Sequence, residues 1–443
     1  MKILFIENRY KTHFWKALAA ELQERGCEVL FLIQNHRFEV EGFPNAVIPY
    51  PRKKERVDSG AEFGFIETAD RSCNCFAGNS HHYRFYYEKI SAVIAEYQPD
   101  LVVGEATVFH ELLAIQICRE EEIVYLNPSS SSYPKNRFSL YQYDTKLAYR
   151  GSAETCSDAR CDELIEAISQ RKIQPDYMLK HQVDQAFDDD KTYPQPGSWR
   201  DRNIILQAYA AGERYNTPHP LRKLLHDRRL SQLKIEWNAL AAERADSMAD
   251  KKIILYPLQM QPEANLDVWG QKHRDQAELV AMLAKALPDD CCLLVKANPK
   301  VKYELNEALL ARVRENKNSV PLALAVKMEE VFPQADLIVT VTGTIAIEAV
   351  LSGKPLALLG ESVVKGGAGV IWLDQAAELS AALERLAAGF PTATQEEKRA
   401  LIRRLLSSSY AGLISDPCHA PTCLDAENIK QVATVIHAAV QGK

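Results

Sequence analysis

The segment "VTGTIAIEAVLSGKPLALLG" (341–360) sets a Thr-Gly-Thr turn between an apolar run and a helix-forming run. A helix that follows a strand offers free backbone N–H groups and the positive end of its dipole at its first turn. Thr342 and Thr344 add hydroxyls there, and Gly343 lets an anion approach the backbone closely. Glu348 falls one turn beyond Thr344 on a similar face, where a carboxylate can accept two hydrogen bonds from a diol such as ribose. A capped helix with a solvent-facing glutamate fits the same residues, and alone they do not choose.

Two further stretches end apolar runs in the same way. "YPLQMQPEANLDVWG" (256–270) carries Gln259, Gln261, Glu263 and Asp267, more polar groups than a plain connection requires. "LLVKANPK" (293–300) places Lys296, Asn298 and Lys300 around a proline, a lysine and an amide suited to a phosphate charge. Three polar loops at one edge of one sheet make a nucleotide-sugar pocket.

The elements that must position these loops follow from periodicity. Ile3–Ile6, Glu28–Ile33, Leu101–Val103 and Ile123–Leu126 are strand-type runs, separated by helical faces such as Phe14, Trp15, Leu18, Ala19 and Leu22, with Gly26 as a helix stop. Strands that are apolar throughout and alternate with helices predict parallel βα units. The alternation fades from about 150 to 250, apart from a patch at Ile204–Leu206, and resumes at Lys252 with strands at Ile253–Tyr256, Leu293–Lys296 and Leu337–Val341. The expected fold is α/β, with two Rossmann-like domains facing across a cleft and a helical segment between them. Its boundaries are 1–150, 151–248 and 249–443, the last helix packing back on the first domain. Such sheets bind ligands at the carboxyl ends of their strands.

The 256–270, 274–288, 293–299 and 335–360 stretches together resemble the C-terminal half of the capsule polysaccharide biosynthesis glycosyltransferases, a group that includes Kdo transferases of GT-B architecture. The resemblance spans about 252–360, and two N-terminal stretches match more loosely. It implies an activated sugar donor on the C-terminal domain, held by Gln261, Glu263, Lys296, Asn298, Thr342, Gly343, Thr344 and Glu348, and an acceptor on the N-terminal one. Where the family has His-Pro after its Val-Lys strand, this chain has Asn298-Pro299. Asparagine can donate a hydrogen bond but cannot become cationic. The donor, CMP-linked Kdo or a related ulosonic acid, or else a UDP- or GDP-hexose, stays open.

Glycosyl transfer needs an activated acceptor hydroxyl and a neutralised leaving phosphate. The resemblance places the acid-base residue after an N-terminal strand. In "GEATVFHE" (104–111) Glu105 directly follows Leu101–Gly104, and Glu7, Asn8, Arg9 and His13 follow the first strand in the same way. Glu105 is the preferred catalytic residue and His13 the second. Arg9, Lys135 and Arg137 are the cations available to a donor or acceptor carboxylate. A non-hydrolysing nucleotide-sugar epimerase and a non-catalytic polysaccharide-binding protein remain as other readings.

The totals agree with an enzyme of this size. The chain has 443 residues, a formal charge of -6 and 25% charged residues, which give no electrostatic case for nucleic acid. No apolar run approaches the roughly 20 residues of a membrane span, and "MKILFIENRY" reads as a strand rather than a signal peptide. A cytoplasmic protein is expected, with peripheral association at the inner membrane through the basic stripe Arg222, Lys223, Arg228 and Arg229 as an option. Ten cysteines show no zinc spacing, so neither a metal nor a cofactor beyond the nucleotide-sugar substrate is expected.

Overall fold

The computed structural model describes residues 1–9, 11–173, 175, 203, 206–207, 209–210, 214–215, 217–248, 250–298 and 300–441. They form two compact units. The first comprises Met1–Thr155, Gln174–Lys223 and Leu406–Lys443, and the second Cys156–Ile173 and Leu224–Leu405.

In the first unit, β1 (Lys2–Ile6), β2 (Glu28–Ile33), β3 (Asn45–Val47), β4 (Leu101–Val103) and β5 (Tyr125–Ser130) pair in parallel, in the order β5-β4-β1-β2-β3. β6 (Arg137–Gln142) adds antiparallel to β5, and the short strand Tyr410–Ala411 adds to β6. The helix Thr12–Glu24 lays Phe14, Trp15, Leu18, Ala19 and Leu22 on the sheet, all fully buried, and Phe5 stacks on Phe31 at 5.3 Å. Gly26 ends that helix at φ +81°, and its N–H bonds the Gln23 carbonyl, a geometry that favours glycine. The last helix, Ala426–Gln441, packs on Thr12–Glu24 and buries Val432, Ala433 and Ile436 in the same core.

The second unit is a six-stranded, wholly parallel sheet. Its strands are β7 (Lys252–Pro257), β8 (Cys291–Lys296), β9 (Ser319–Leu322), β10 (Leu337–Thr340), β11 (Leu356–Leu358) and β12 (Val370–Trp372), in the order β12-β11-β10-β7-β8-β9. The order reverses between β7 and β10, the switch point where ligands of such sheets bind. Both units are therefore doubly wound α/β layers, as the alternation predicts.

The stretch expected as a helical insert at 151–248 divides between the units. Its helix Asp158–Ser169 packs on the helix Ile345–Leu351 of the second unit. Ile204 and Ile205 lie outside the described residues, and Leu206 is helical. Five strands were not foreseen: β3, β6, β9, β12 and Tyr410–Ala411. Four of these have four residues or fewer, and β9 contains Pro321, which is compatible only with its place at the sheet edge.

The long helix Pro220–Glu243 contributes Leu233, Trp237 and Leu240 to the second core. Trp237 is fully buried, and its Nε1–H donates to the Leu322 carbonyl at 2.8 Å. Trp237→Phe leaves that carbonyl unpaired, which costs about 1–3 kcal/mol. Urea unfolding should show this as a lower midpoint with an unchanged slope.

Candidate functional site

The carboxyl edge of the second sheet is organised by side-chain amides. Gln259 lies against the turn after β10: its oxygen accepts from the N–H of Thr342 (2.9 Å) and Gly343 (3.2 Å), and its Nε2 donates to Thr342 Oγ1 (2.9 Å). Thr342 Oγ1 also donates to the Asn265 carbonyl at 2.7 Å, and Gly343 N–H reaches Thr340 Oγ1 at 3.2 Å. The N–H groups expected to be free for a phosphate are thus capped from the neighbouring loop. The helix itself is Ile345–Leu351, with Thr344 as its N-cap residue in αR conformation.

Gln261 is built into the same lattice. Its amide hydrogens go to Asp267 Oδ1 (3.1 Å) and the Arg274 carbonyl (3.2 Å), and its oxygen accepts from Gln276 Nε2 (3.1 Å). Asp267 pairs with Arg274 at 2.9 Å and accepts from Glu263 N–H at 3.0 Å. Burial pushes the Glu263 carboxyl up to about 7, against the opposing pull of Lys302. Glu304, which sequence reasoning passed over, is 1% exposed; its Oε2 accepts from Gln261 N–H, and burial raises its pKa too. Asn298 Oδ1 accepts from Lys300 N–H at 2.8 Å, while Pro299 lies outside the described residues.

Lys296 ends β8 beside Pro257 and is 4% exposed. Its ammonium donates to the Ala297 carbonyl at 2.6 Å, with Glu330 as its electrostatic neighbour. Burial lowers its pKa and Glu330 partly restores it.

Glu348 requires a correction. It is 2% exposed, and its carboxylate pairs with Arg171 rather than standing open for a ribose. Arg171 also contacts Glu329 at 3.2 Å and lies over the Phe332 ring at 5.8 Å. It sits in the turn that closes Asp158–Ser169, at φ +53°, and Ser169 Oγ fastens the same turn to the Leu351 carbonyl at 3.0 Å. No pattern near residue 171 signals this pairing, because its partner is 177 residues away.

At the carboxyl edge of the first sheet, the Asn8 amide bridges two carboxylates. Its Nδ2 donates to Glu105 and, at 2.9 Å, to Glu111 Oε1. Lys11 forms an ion pair with Glu105. Glu111 is wholly buried and also accepts from Glu105 N–H (3.3 Å), Thr107 N–H (2.8 Å), Thr107 Oγ1 (2.9 Å) and Val108 N–H (3.0 Å). Burial first, then the Glu105 charge, push Glu111 up to about 7 against those donors. Glu111 was missed, although "TVFHE" carries the spacing by which a glutamate reaches back to a helix start. Glu7 accepts from Arg9 N–H and Thr12 Oγ1, and Arg9 Nη1 reaches Thr217 Oγ1 at 3.3 Å.

Two other expected residues stand elsewhere. His13 lines an apolar groove with Lys16, Ala17, Ala20, Phe43 and Leu424. Arg137 is 7% exposed, and its guanidinium donates to Ser409 Oγ (2.8 Å) and to the carbonyls of Leu406 (2.9 Å) and Ser409 (2.8 Å), with Glu154 at 2.8 Å. It ties the chain's last segment to β6 instead of facing a substrate. Among the described residues no group of three His, Cys, Asp or Glu side chains is placed to hold a metal ion.

Residues 203–388 match the family described as capsule polysaccharide biosynthesis protein. The family resemblance read from the sequence holds over that stretch. No curated protein matches. Among solved structures, the β-Kdo 2,7 transferase KpsC of Thermosulfurimonas dismutans aligns at 11% identity over 98% of this chain and 100% of its own, with a TM-score of 0.39. The UDP-GlcNAc 2-epimerase of Neisseria meningitidis aligns at 12% over 100% of both chains with 0.32. CalG4, the calicheamicin glycosyltransferase, aligns at 13% over 99% of this chain and 98% of its own with 0.30.

Two stability tests follow. Arg171→Met strands the Glu348 charge and should cost toward the lower end of roughly 3–5 kcal/mol, Arg171 being partly solvated; adding Glu348→Gln should recover most of it in a double-mutant cycle. Glu263 ionises near 7 in the folded chain against an ordinary 4.5, so ionisation opposes folding. Stability contributed by the protonated form is lost as pH rises between those values. Glu263→Gln should match the parent's melting temperature below that window and exceed it above.

Proposed function

We propose that the chain is a glycosyltransferase of surface-polysaccharide synthesis. The second unit would hold a nucleotide-linked sugar, and the first a saccharide or glycolipid acceptor. Support comes from the family match over 203–388 and from the doubly wound fold of each unit. The observation that carries the reading is Lys296, a cation 4% exposed at a strand's carboxyl end, hydrogen-bonded to one carbonyl. An ammonium has three donors, and burying it with a single acceptor is costly unless an anion completes its shell. The donor phosphate supplies that anion.

In the reaction, Glu105 takes the proton from the acceptor hydroxyl as its oxygen bonds the anomeric carbon. The bond from that carbon to the phosphate oxygen breaks, and the nucleotide leaves with the electron pair. Lys296 balances the charge that develops on the leaving phosphate. Asn8 and Lys11 hold Glu105 in place. Gln259, Gln261 and Gln276 fix the loops, and Thr344, Glu263 and Asn298 are the remaining donor-site candidates. The donor is a substrate, CMP- or UDP-linked, and the reading assigns no separate cofactor or metal. A glycolipid acceptor would place the protein in the cytoplasm, peripherally at the inner membrane.

One observation favours a non-catalytic polysaccharide-binding protein: Gln259 occupies the Thr342 and Gly343 N–H groups. Titration with CMP, UDP and GDP separates the two readings. The transferase reading expects one nucleotide to bind and Lys296→Ala to weaken it by roughly 10- to 100-fold, as for a charged hydrogen bond. It expects Glu105→Gln to bind that nucleotide normally and lose transfer. Saturable binding of none of the three would leave only the non-catalytic reading.

A further inference from the structure

The helix Pro220–Glu243 is apolar on two sides. Leu233, Trp237 and Leu240 are buried in the core of the second unit. Leu221, Leu224, Leu225 and Ile235 fall on another face, at spacings i, i+3, i+4 and i+14, and are 65%, 46%, 62% and 64% exposed. Arg228, at i+7, lies within that stripe. A cluster of exposed large aliphatic side chains on one helix marks an interaction surface.

Its charge selects the partner. Residues 220–231 carry Arg222, Lys223, Arg228 and Arg229 against Asp227 alone, a local excess of basic charge on a chain whose formal charge is -6. Arg229 is spent on Glu307 and Glu236, and Arg222 donates to the carbonyls of Phe76 and Ala77. Neither Lys223 nor Arg228 forms an ion pair with another described residue. A second copy meeting this face about a two-fold axis would set Arg228 against its own kind. A leucine stripe interrupted by an arginine and edged by a lysine instead matches a bilayer surface, where leucines enter the acyl boundary and cations stay among anionic headgroups.

We infer that this helix face docks the protein on an anionic lipid membrane. The inference rests on the membrane-acceptor reading above and names its surface. It is tested by co-sedimentation with vesicles of phosphatidylcholine alone and with about one-third phosphatidylglycerol. The parent protein should bind only the anionic vesicles and release as salt rises. Leu225→Glu and Arg228→Glu should each weaken binding by roughly tenfold with an unchanged thermal melt, as expected for exposed positions. The nucleotide titration run on the same variants reports separately on the transferase reading. A parent protein that stays in the supernatant with anionic vesicles at low salt overturns the inference. So does concentration-dependent dimerisation of the parent that Leu225→Glu abolishes, which would assign the face to a second copy.

Discussion

A parallel sheet covered by helices on both faces leaves no place for a polar side chain except at the ends of its strands. β8 shows the constraint directly. Cys291 to Val295 are buried apolar positions, and the first polar side chain on the strand is Lys296, its last residue. β10 runs Leu337-Ile338-Val339 before it reaches Thr340. All six strands of the second unit point the same way, so their polar termini gather at one edge. Neutral amides organise that edge. Gln259, Gln261 and Gln276 each donate and accept at once, which satisfies loop backbone groups without placing further charges in a dry region.

Against this neutral lattice the few buried charges stand out by how they are compensated. Asp267 has Arg274, and Glu348 has Arg171. Glu111 pairs with no cation among the described residues but is surrounded by five N–H and O–H donors from Asn8, Glu105, Thr107 and Val108. Each arrangement returns much of the hydration the charge lost. Lys296 is different: among the described residues one carbonyl, that of Ala297, accepts from its ammonium, and Glu330 acts on it only as an electrostatic neighbour. That contrast, rather than the presence of a lysine, is the ground on which an anion site is proposed there.

The same constraint explains what could be read from the chain. Long strands with an unbroken apolar run, such as β2 from Val29 to Ile33 with the stop at Gly26 before it, announce themselves, because burial on both faces demands uniform composition. The edge strands do not. β3 and β12 have three residues each, too few to show a period, and β6 follows a serine-rich loop and opens with an arginine. For the site, strand-end residues such as Glu105 and Lys296 were placed correctly at sheet edges, because local order alone fixes them. Glu348 was placed on its helix but given the wrong neighbour. Its partner arrives from a segment, Cys156–Ile173, that belongs to the second unit by packing but is separated in the chain from the rest of that unit by residues 174–223.

Arg171 and Arg137 make the general point. Each was either passed over or taken for a ligand cation, and each fastens a remote segment to its unit. Arg137 holds Leu406 and Ser409, and Arg171 holds the helix Ile345–Leu351 through Glu348. A guanidinium presents five donors in a planar fork, so backbone carbonyls or a buried carboxylate can saturate it as well as a phosphate can. Lysine is a point charge on a flexible stem and gains less from such stitching. A lysine forced into burial at a strand terminus is therefore stronger evidence for an anionic ligand than an arginine in a polar loop. Arg137 and Arg171 fall on the structural side of that distinction, and Lys296 is the residue for which an anion is proposed.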